Sequence, residues 1–338
     1  MLKRTKIVKY LQELSASDKL PSNGKLPSQT ALMRQFGVSR TTVVKALEEL
    51  RIHGQVCGQQ GRGVYALPSH APDKISQIVV IGEHLNPDSD FPFSEMIWGI
   101  ENAGRRLSFL NASKMDNHAI PVFHRGQAII WLLPELRMLP HMEHLRQLGI
   151  PQLLINRDFD DYDCIITDTM TSLREGLSWL LIEAGRDLAV ISYPPVLCKP
   201  YRQDRLSAIY ELCLSLQANL VPDLVFKCPF LNIVEDIDNI VQSIFHHPQP
   251  PRGIFILDHR IVIPFIICAS KYGKTLAKDY KLLVMDGRPD YPHSPGLAIL
   301  KQSFHLFQVE IEEWLRIALK PKRSLYQKRI KCSLQINR

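Results

Sequence analysis

The sequence predicts an α/β protein with two parts, a small helical N-terminal domain ending in a hairpin and a larger domain of alternating strands and helices. Its 338 residues exceed one typical domain. The excess positive charge lies within residues 1–68, which hold eleven Lys and Arg against four Asp and Glu, whereas the rest of the chain holds thirty of each. The apolar pattern also changes after a polar, proline-containing stretch at 69–74, which we interpret as a linker.

Three stretches of the first domain carry apolar residues at helical spacing. They run from Thr5 to about Leu14, from Ser28 as N-cap to Gly37, and from Arg40 to about His53. A short strand, a glycine-rich loop tip at 58–63 and a return strand at 64–67 follow. The order helix, helix, turn, helix, hairpin predicts a winged helix-turn-helix over residues 1–68. Because this domain is basic, a polyanion is its expected partner.

The stretch from Leu26 to Tyr65 resembles the N-terminal domain of the GntR family of bacterial regulators. It reads LPSQTALMRQFGVSRTTVVKALEELRIHGQVCGQQGRGVY. The shared features are LPS at the second helix, FGVSRTTV leading into the recognition helix, AL..L on its buried face and a G-x-G wing with an aromatic residue. The resemblance implies that this domain binds double-stranded operator DNA.

The start of a recognition helix suits phosphates and base edges, because its backbone N–H groups are exposed and its dipole is positive there. Arg40 can form two parallel hydrogen bonds to a guanine or a phosphate, and Arg62, between two glycines, can reach the minor groove. Ser28 can contact a phosphate or only cap its helix. The expected DNA-binding residues are Ser28, Arg40, Thr41, Thr42, Lys45, Arg62 and Gly63.

Two departures from the GntR pattern affect base reading. Val44 stands where many relatives carry Arg, and Gln29-Thr30 stands where they carry charged residues. Lys45, one position away, only partly replaces the missing arginine. The glycine-rich loop also has a rival interpretation as a nucleotide cradle, but its glycine order and its place between hairpin strands disfavour that. The motif therefore predicts DNA binding without predicting the operator.

The second domain, residues 75–338, alternates short apolar runs with amphipathic helices, which is typical of parallel strands joined by crossover helices. We expect strands at 78–81, 128–133, 152–155, 188–191, 253–257 and 281–285. Residues 112–126 look short and irregular, and we place them between the first helix and the second strand of this domain.

Scattered motifs of this domain resemble the sensor of LacI/GalR regulators, which has a periplasmic-binding-protein-like fold. They include IPQLLINRD at 150–158, GIFILD at 253–258 and VMDG at 284–287. The resemblance implies a two-lobed, dimerising sensor that binds a sugar or sugar derivative. Ligands of such sheets bind beyond the carboxyl ends of the strands. The expected effector-binding residues are Phe93, Asp168, Arg205, Asp258 and Asp286. Each aspartate can instead be a helix cap.

Several function classes are disfavoured. No apolar run is long enough to span a membrane and no signal core follows the N-terminus, so a cytoplasmic protein is expected. The seven cysteines contain no CxxC pair and are expected to be reduced thiols. His141, His144, His246 and His247 are expected on the surface rather than in a metal site. We find no catalytic motif and expect no enzyme, cofactor or metal.

The expected function is a homodimeric, ligand-responsive regulator, a repressor of a palindromic operator. The alternatives are a GntR-type regulator with a non-sugar effector, one with an enzyme-derived C-terminal domain of the aminotransferase type, or one with a helical, metal-binding effector domain. The basic C-terminal tail from Lys320 to Arg338 is a second nucleic-acid arm or, as its alternation favours, a closing edge strand.

Overall fold

A computed structural model describes the chain except for residues 1–2, 16–19, 22–23, 53–54, 60–62, 67–74, 84–95, 97–105, 116–122, 124–125, 195–200, 230–231, 288–290, 292–293, 321–322 and 338. The chain divides into two compact units. The first comprises residues 1–164 and 308–326, and the second comprises residues 165–307 and 327–338.

The N-terminal segment folds in the order that the sequence predicts. Its elements are α1 (Lys3–Ser15), α2 (Gln29–Phe36), α3 (Arg40–Ile52), β1 (Val56–Gln59) and β2 (Gly63–Ala66). The two strands form an antiparallel hairpin, the wing. The helices share one apolar core, which contains Ile7, Leu11, Leu32, Val43, Ala46 and Leu50.

Local chemistry fixes where α2 begins and ends. The Ser28 hydroxyl accepts a hydrogen bond from the Ala31 N–H at 3.2 Å, which satisfies one open donor of the first turn. Gly37 ends the helix with φ 57°, a conformation that costs glycine little. Both residues thus act in α2 as the sequence predicts.

The remaining chain builds two six-stranded, mainly parallel sheets, and the edge strand β14 of the second sheet is antiparallel to β12. The first has the strand order β13-β7-β6-β5-β3-β4 and the second has the order β14-β12-β11-β10-β8-β9. The strands are β3 (Gln77–Gly82), β4 (Arg106–Asn111), β5 (Gln127–Leu132), β6 (Gln152–Ile155), β7 (Asp163–Thr167), β8 (Asp187–Ser192), β9 (Asn219–Lys227), β10 (Gly253–Ile256), β11 (Lys281–Met285), β12 (Leu297–Lys301), β13 (Gln327–Ile330) and β14 (Ser333–Ile336).

The helices of this part are α4 (Leu139–Gln147), α5 (Thr169–Ala184), α6 (Tyr201–Leu216), α7 (Ile233–Phe245), α8 (His259–Lys271) and α9 (Phe304–Ile317). The central strands β10 and β11 are buried along nearly their whole length, since helices pack on both faces of the second sheet. The predicted mixed α/β architecture with two parallel sheets is confirmed. A helical effector domain is not what this chain forms.

Two sequence predictions need correction, the place of residues 112–126 and the exposure of His141. Residues 112–126 lie between β4 and β5, the second and third strands of this part, because Arg106–Asn111 forms a strand that sequence analysis missed. That edge strand is only partly buried and lacks a continuous apolar run. The C-terminal tail, where an edge strand was the favoured prediction, forms two short strands, β13 and β14, at the edges of different sheets. His141 is buried, at 5% exposure, rather than on the surface.

The cysteines that the structure describes are free and buried, in agreement with the predicted reduced thiols. Cys198 lies outside the described residues. Within the described part of the chain no helix is both long and apolar enough to cross a membrane.

Candidate functional site

The start of α3 is held by a short polar turn. The Ser39 hydroxyl accepts a hydrogen bond from the Thr42 N–H at 3.4 Å and lies 3.1 Å from the Thr42 hydroxyl. Thr42 is therefore half-buried against its own cap, whereas Arg40 and Thr41 are exposed. Lys45, one turn further along, is also exposed. The helix start thus presents a guanidinium, a hydroxyl and the positive end of the helix dipole to solvent, a combination suited to phosphate.

One further cation of this domain, Lys25, lies beside the wing. Gly24 and Leu26 exchange backbone hydrogen bonds with Ala66 and Val64, so that residues 24–26 run beside β2 as a short third strand. Lys25 is exposed there. Sequence analysis missed Lys25, because only this strand pairing places it on the wing.

The backbone conformation of Gly63, next to the tip of the wing, favours glycine. Its φ is 122°, and a Cβ atom there would lie 3.2 Å from Cε of Lys25. Arg62, the wing residue predicted to reach DNA, lies outside the described residues.

In the second unit, polar side chains meet at the carboxyl ends of the strands. The Arg205 guanidinium donates to Oδ2 of Asp286 at 3.0 Å and to the Tyr193 hydroxyl at 3.3 Å. The Gln302 amide donates to the other Asp286 oxygen at 2.7 Å and accepts a hydrogen bond from the Thr167 hydroxyl at 2.9 Å. We call these five residues the Arg205 network.

The fold explains why these residues converge. Tyr193 directly follows β8, Asp286 follows β11 and Gln302 follows β12, whereas Arg205 is in the first half of α6. The carboxyl ends of parallel strands meet at one edge of a sheet, where ligands of such folds bind. Sequence analysis identified Arg205 and Asp286 but missed Tyr193, Gln302 and Thr167, because no motif marks single polar residues after a strand.

The ion pair at the centre of the network is largely removed from solvent. The Arg205 side chain is 11% exposed and that of Asp286 is 27% exposed. Burial by itself lowers the pKa of Arg205, but the Asp286 carboxylate and the Tyr193 hydroxyl more than offset this, so the pKa lies above its ordinary value. Arg205 therefore stays charged, and its charge is matched by Asp286.

The backbone at Asp286 is in the left-handed region, with φ 60°. Such a conformation is uncommon for a residue other than glycine and is often found at functional sites. It directs the chain away from β11 into Gly287, where a Cβ atom would lie 2.3 Å from the Ile299 side chain. The turn therefore favours glycine at position 287.

The other two predicted aspartates cap helices. Asp168 precedes α5 and accepts a hydrogen bond from the Thr171 N–H at 3.1 Å. Asp258 precedes α8 and accepts hydrogen bonds from the backbone N–H and the guanidinium of Arg260. Burial by itself raises the pKa of Asp258, but Arg260 lowers it further than burial raises it, so the carboxylate stays ionised. Neither residue belongs to the Arg205 network. Phe93 lies outside the described residues.

The predicted absence of a histidine metal site can be examined only in the described part of the chain. Within it, no group of three or more His, Cys, Asp and Glu side chains could hold a metal ion. Nδ1 of His246 lies 2.9 Å from the backbone oxygen of Gln242 and Nδ1 of His247 lies 2.9 Å from that of Gln249, distances at which a protonated Nδ1 donates to the oxygen.

Comparison with known proteins separates the two parts of the chain. The family model of the bacterial regulatory proteins, gntR family, matches residues 3–66. Over 65 residues the chain is 37% identical to the uncharacterized HTH-type transcriptional regulator YdfD of Bacillus subtilis (strain 168), a stretch that covers 19% of this chain and 14% of that protein. The chain thus spans about a seventh of the length of this relative.

Solved structures match most of the length of the chain. A LacI family transcription regulator from Clostridium acetobutylicum matches 78% of this chain and 99% of its own, with TM-score 0.63 and 12% identity. The transcriptional regulator CelR in complex with cellobiose matches 97% of this chain and 98% of its own, with TM-score 0.60 and 14% identity. A putative ribose operon repressor from Burkholderia thailandensis matches 78% of this chain and 100% of its own, with TM-score 0.57 and 12% identity.

At such identities the likeness of the solved structures shows the fold. The chain therefore carries, at residues 3–66, a winged helix-turn-helix domain of the gntR family of bacterial regulatory proteins, followed by a domain with the fold of LacI-family transcription regulators.

Proposed function

We propose that this protein is an effector-responsive transcription regulator. Residues 1–68 bind operator DNA, residues 69–74 link the domains, and residues 75–338 bind a small molecule and dimerise. The observation that carries the proposal is the gntR-type domain at 3–66 joined to a LacI-type fold. The reaction is reversible binding without a catalytic step, and the place of action is the cytoplasm.

DNA binding rests on the exposed start of α3. Arg40, Thr41 and Lys45 are exposed there, and positive charge near phosphates releases counterions. Thr42, Ser28, Arg62 and Gly63 are the further proposed contacts. Arg40→Ala removes one guanidinium group and its hydrogen-bond donors. We therefore expect about a tenfold loss of affinity for a DNA duplex enriched from a random library. The dependence of log affinity on log salt concentration, the salt slope, should be shallower by about one unit.

The matched control is Arg174→Ala, which removes the same charge from an exposed position on α5. Binding of the full chain is measured by fluorescence anisotropy at several salt concentrations, with a duplex enriched from a random library. Equal effects of the two variants would contradict a specific role for Arg40. Failure to enrich any duplex would contradict DNA binding itself.

The effector site is the Arg205 network. Because Asp286 neutralises Arg205, the site offers donors and acceptors without net charge. That combination suits hydroxyl groups, which both donate and accept, and it disfavours phosphates and carboxylates, which Asp286 repels. The solved CelR structure holds cellobiose. We therefore propose a neutral sugar or sugar derivative as effector, with Arg205 and Asp286 as its principal contacts and Phe93, Asp168 and Asp258 as secondary candidates.

A thermal-shift screen with neutral sugars, sugar phosphates and sugar acids tests this choice. We expect a neutral sugar to raise the Tm of the full chain, because a ligand that binds only the folded state stabilises it. Arg205→Ala and Asp286→Asn should abolish the shift, and Arg174→Ala should keep it. A shift with sugar phosphates alone would contradict the neutral effector.

Dimerisation is supported by an apolar stripe on α8. Ile263 and Ile267, four residues apart on the helix, are 38% and 55% exposed, and Val234 of the adjacent α7 is 56% exposed. A palindromic operator binds two copies of the N-terminal DNA-binding domain, one to each half-site, and therefore requires a dimer. Ile267→Glu should yield a monomer in analytical ultracentrifugation, whereas Leu214→Glu, at an 83% exposed position on α6, should not. A dimer that withstands Ile267→Glu would contradict this surface.

A further inference from the structure

One residue on the solvent face of α3 is apolar. The buried face holds Val43, Ala46, Leu47 and Leu50. At 3.6 residues per turn, the opposite face holds Arg40, Thr41, Val44, Lys45 and Glu48. Four of these five are exposed polar or charged residues, and Val44 is half-buried. Val44 is thus the exception on a face that is otherwise built for polar contacts.

Val44 borders a small groove between α3 and the wing. The groove has a volume of about 100 Å³. Its lining residues are Gln29, Val44, Leu47, Glu48, Arg51, Val56 and Val64. Four of the seven are apolar, so the space beside Val44 is suited to a methyl group rather than to a hydrogen-bonding group.

The neighbours of Val44 define what can lie against it. Arg40 is one turn before it and Lys45 is the next residue, and both are exposed cations. Glu48, one turn after Val44, is an exposed acid, so the two cations leave this stretch with a net positive charge, which favours the polyanionic duplex over an apolar protein partner. Valine offers no hydrogen bond to a base edge. In the major groove the one apolar group that a base presents is the 5-methyl group of thymine.

We infer that Val44 is a base-reading residue that contacts the 5-methyl group of a thymine in each operator half-site. This inference rests on the proposed DNA-binding function and names a specificity determinant within it. It predicts that the operator carries thymine at the base pair opposite the second turn of α3. An arginine at this position would instead favour guanine.

The test replaces single thymines by deoxyuridine, which lacks only the methyl group. A duplex is first enriched from a random library with the full-length protein, and each thymine is then exchanged in turn. One position per half-site should lose affinity by about fourfold, the effect of removing one buried methyl group. In Val44→Ala, overall affinity should fall by a similar factor, and exchange at that position should have no further effect.

Two variants control for indirect effects. Val44→Ile keeps an apolar side chain and should retain the sensitivity to deoxyuridine. Val309→Ala makes the matched change at a 49% exposed position on α9 and should alter neither affinity nor sensitivity. If no thymine exchange weakens binding, or if Val44→Ala keeps the same sensitive position, the inference is wrong while DNA binding stands. If no duplex is enriched, the proposed function fails and the inference with it.

Discussion

The two proposed binding sites treat an arginine in opposite ways. At the start of α3, Arg40 is exposed, and within the described residues the structure gives it no ion-pair partner. In the second unit, Arg205 is 11% exposed and paired with Asp286 at 3.0 Å. An exposed cation attracts phosphate and contributes little to folding. A buried cation depends for stability on its carboxylate partner, because an unpaired buried charge is strongly destabilising. It also offers a ligand directed hydrogen bonds. The comparison separates a site made for a polyanion from a site made for a neutral ligand.

The largest effect is expected from breaking the buried pair. Asp286→Ala leaves the Arg205 charge without its carboxylate partner, so the free energy of unfolding should fall by about 3 kcal/mol. Urea unfolding followed by fluorescence and circular dichroism measures this. Glu313→Ala, which removes the partner of the exposed Arg316 from α9, is the control and should cost less than about 0.5 kcal/mol. Similar losses in both variants would show that Arg205 is not held as described.

A smaller effect is expected at the cap of α2. Ser28→Ala removes the hydrogen bond to the Ala31 N–H and should lower the free energy of unfolding by about 1 kcal/mol. The salt slope of DNA binding separates the two roles of Ser28. An unchanged slope means that Ser28 only caps the helix, and a slope shallower by about one unit means that it also contacts a phosphate. Unaltered stability would contradict the cap.

The smallest effect is the loss of stability at acidic pH that is expected from His141, in the part of the chain after the N-terminal domain. Burial lowers the pKa of His141 on α4, and the positive charges of His144 and Arg137 lower it further. The unfolded chain therefore binds this proton at a higher pH than the folded chain. Stability should be complete above about pH 6.5 and fall as the pH drops from there through the folded pKa.

His141→Gln should flatten this acid slope in a series of Tm measurements between about pH 5 and 8. His246→Gln, at an exposed position on the second unit, is the control and should leave the slope as it is. A slope that is the same in wild type and His141→Gln would show that His141 is not the responsible group.

The N-terminal domain could be predicted nearly in full from the sequence, because its signals are local. Ser28 and Gly37 mark the ends of α2, and the spacing of Val43, Ala46 and Leu50 marks the buried face of α3. Six buried strands of the second domain were equally visible as apolar runs, whereas β12, which is also buried, was not predicted. The edge strand Arg106–Asn111 was not predicted either, because it is partly exposed and polar residues interrupt its apolar ones.

The effector site shows where sequence analysis ends. Arg205 and Asp286 were identified by resemblance, yet their 81-residue separation gives no sign that they form an ion pair. Tyr193 and Gln302 join them only because parallel strands bring their ends together. Asp168 and Asp258 carry the same strand-ending pattern as Asp286, and in the structure both cap helices. A carboxylate after a strand therefore does not reveal whether it serves a helix or a ligand.

The most direct test of an effector-responsive regulator is the affinity of the full chain for its enriched duplex with and without a saturating neutral sugar found by thermal shift. Coupling between two sites is usually worth about 1–3 kcal/mol, so we expect a change of about 5- to 150-fold in Kd. Arg205→Ala should keep the affinity for DNA and lose its response to the sugar. If the sugar is bound and the affinity for DNA does not change, the two sites are not coupled and the account is wrong.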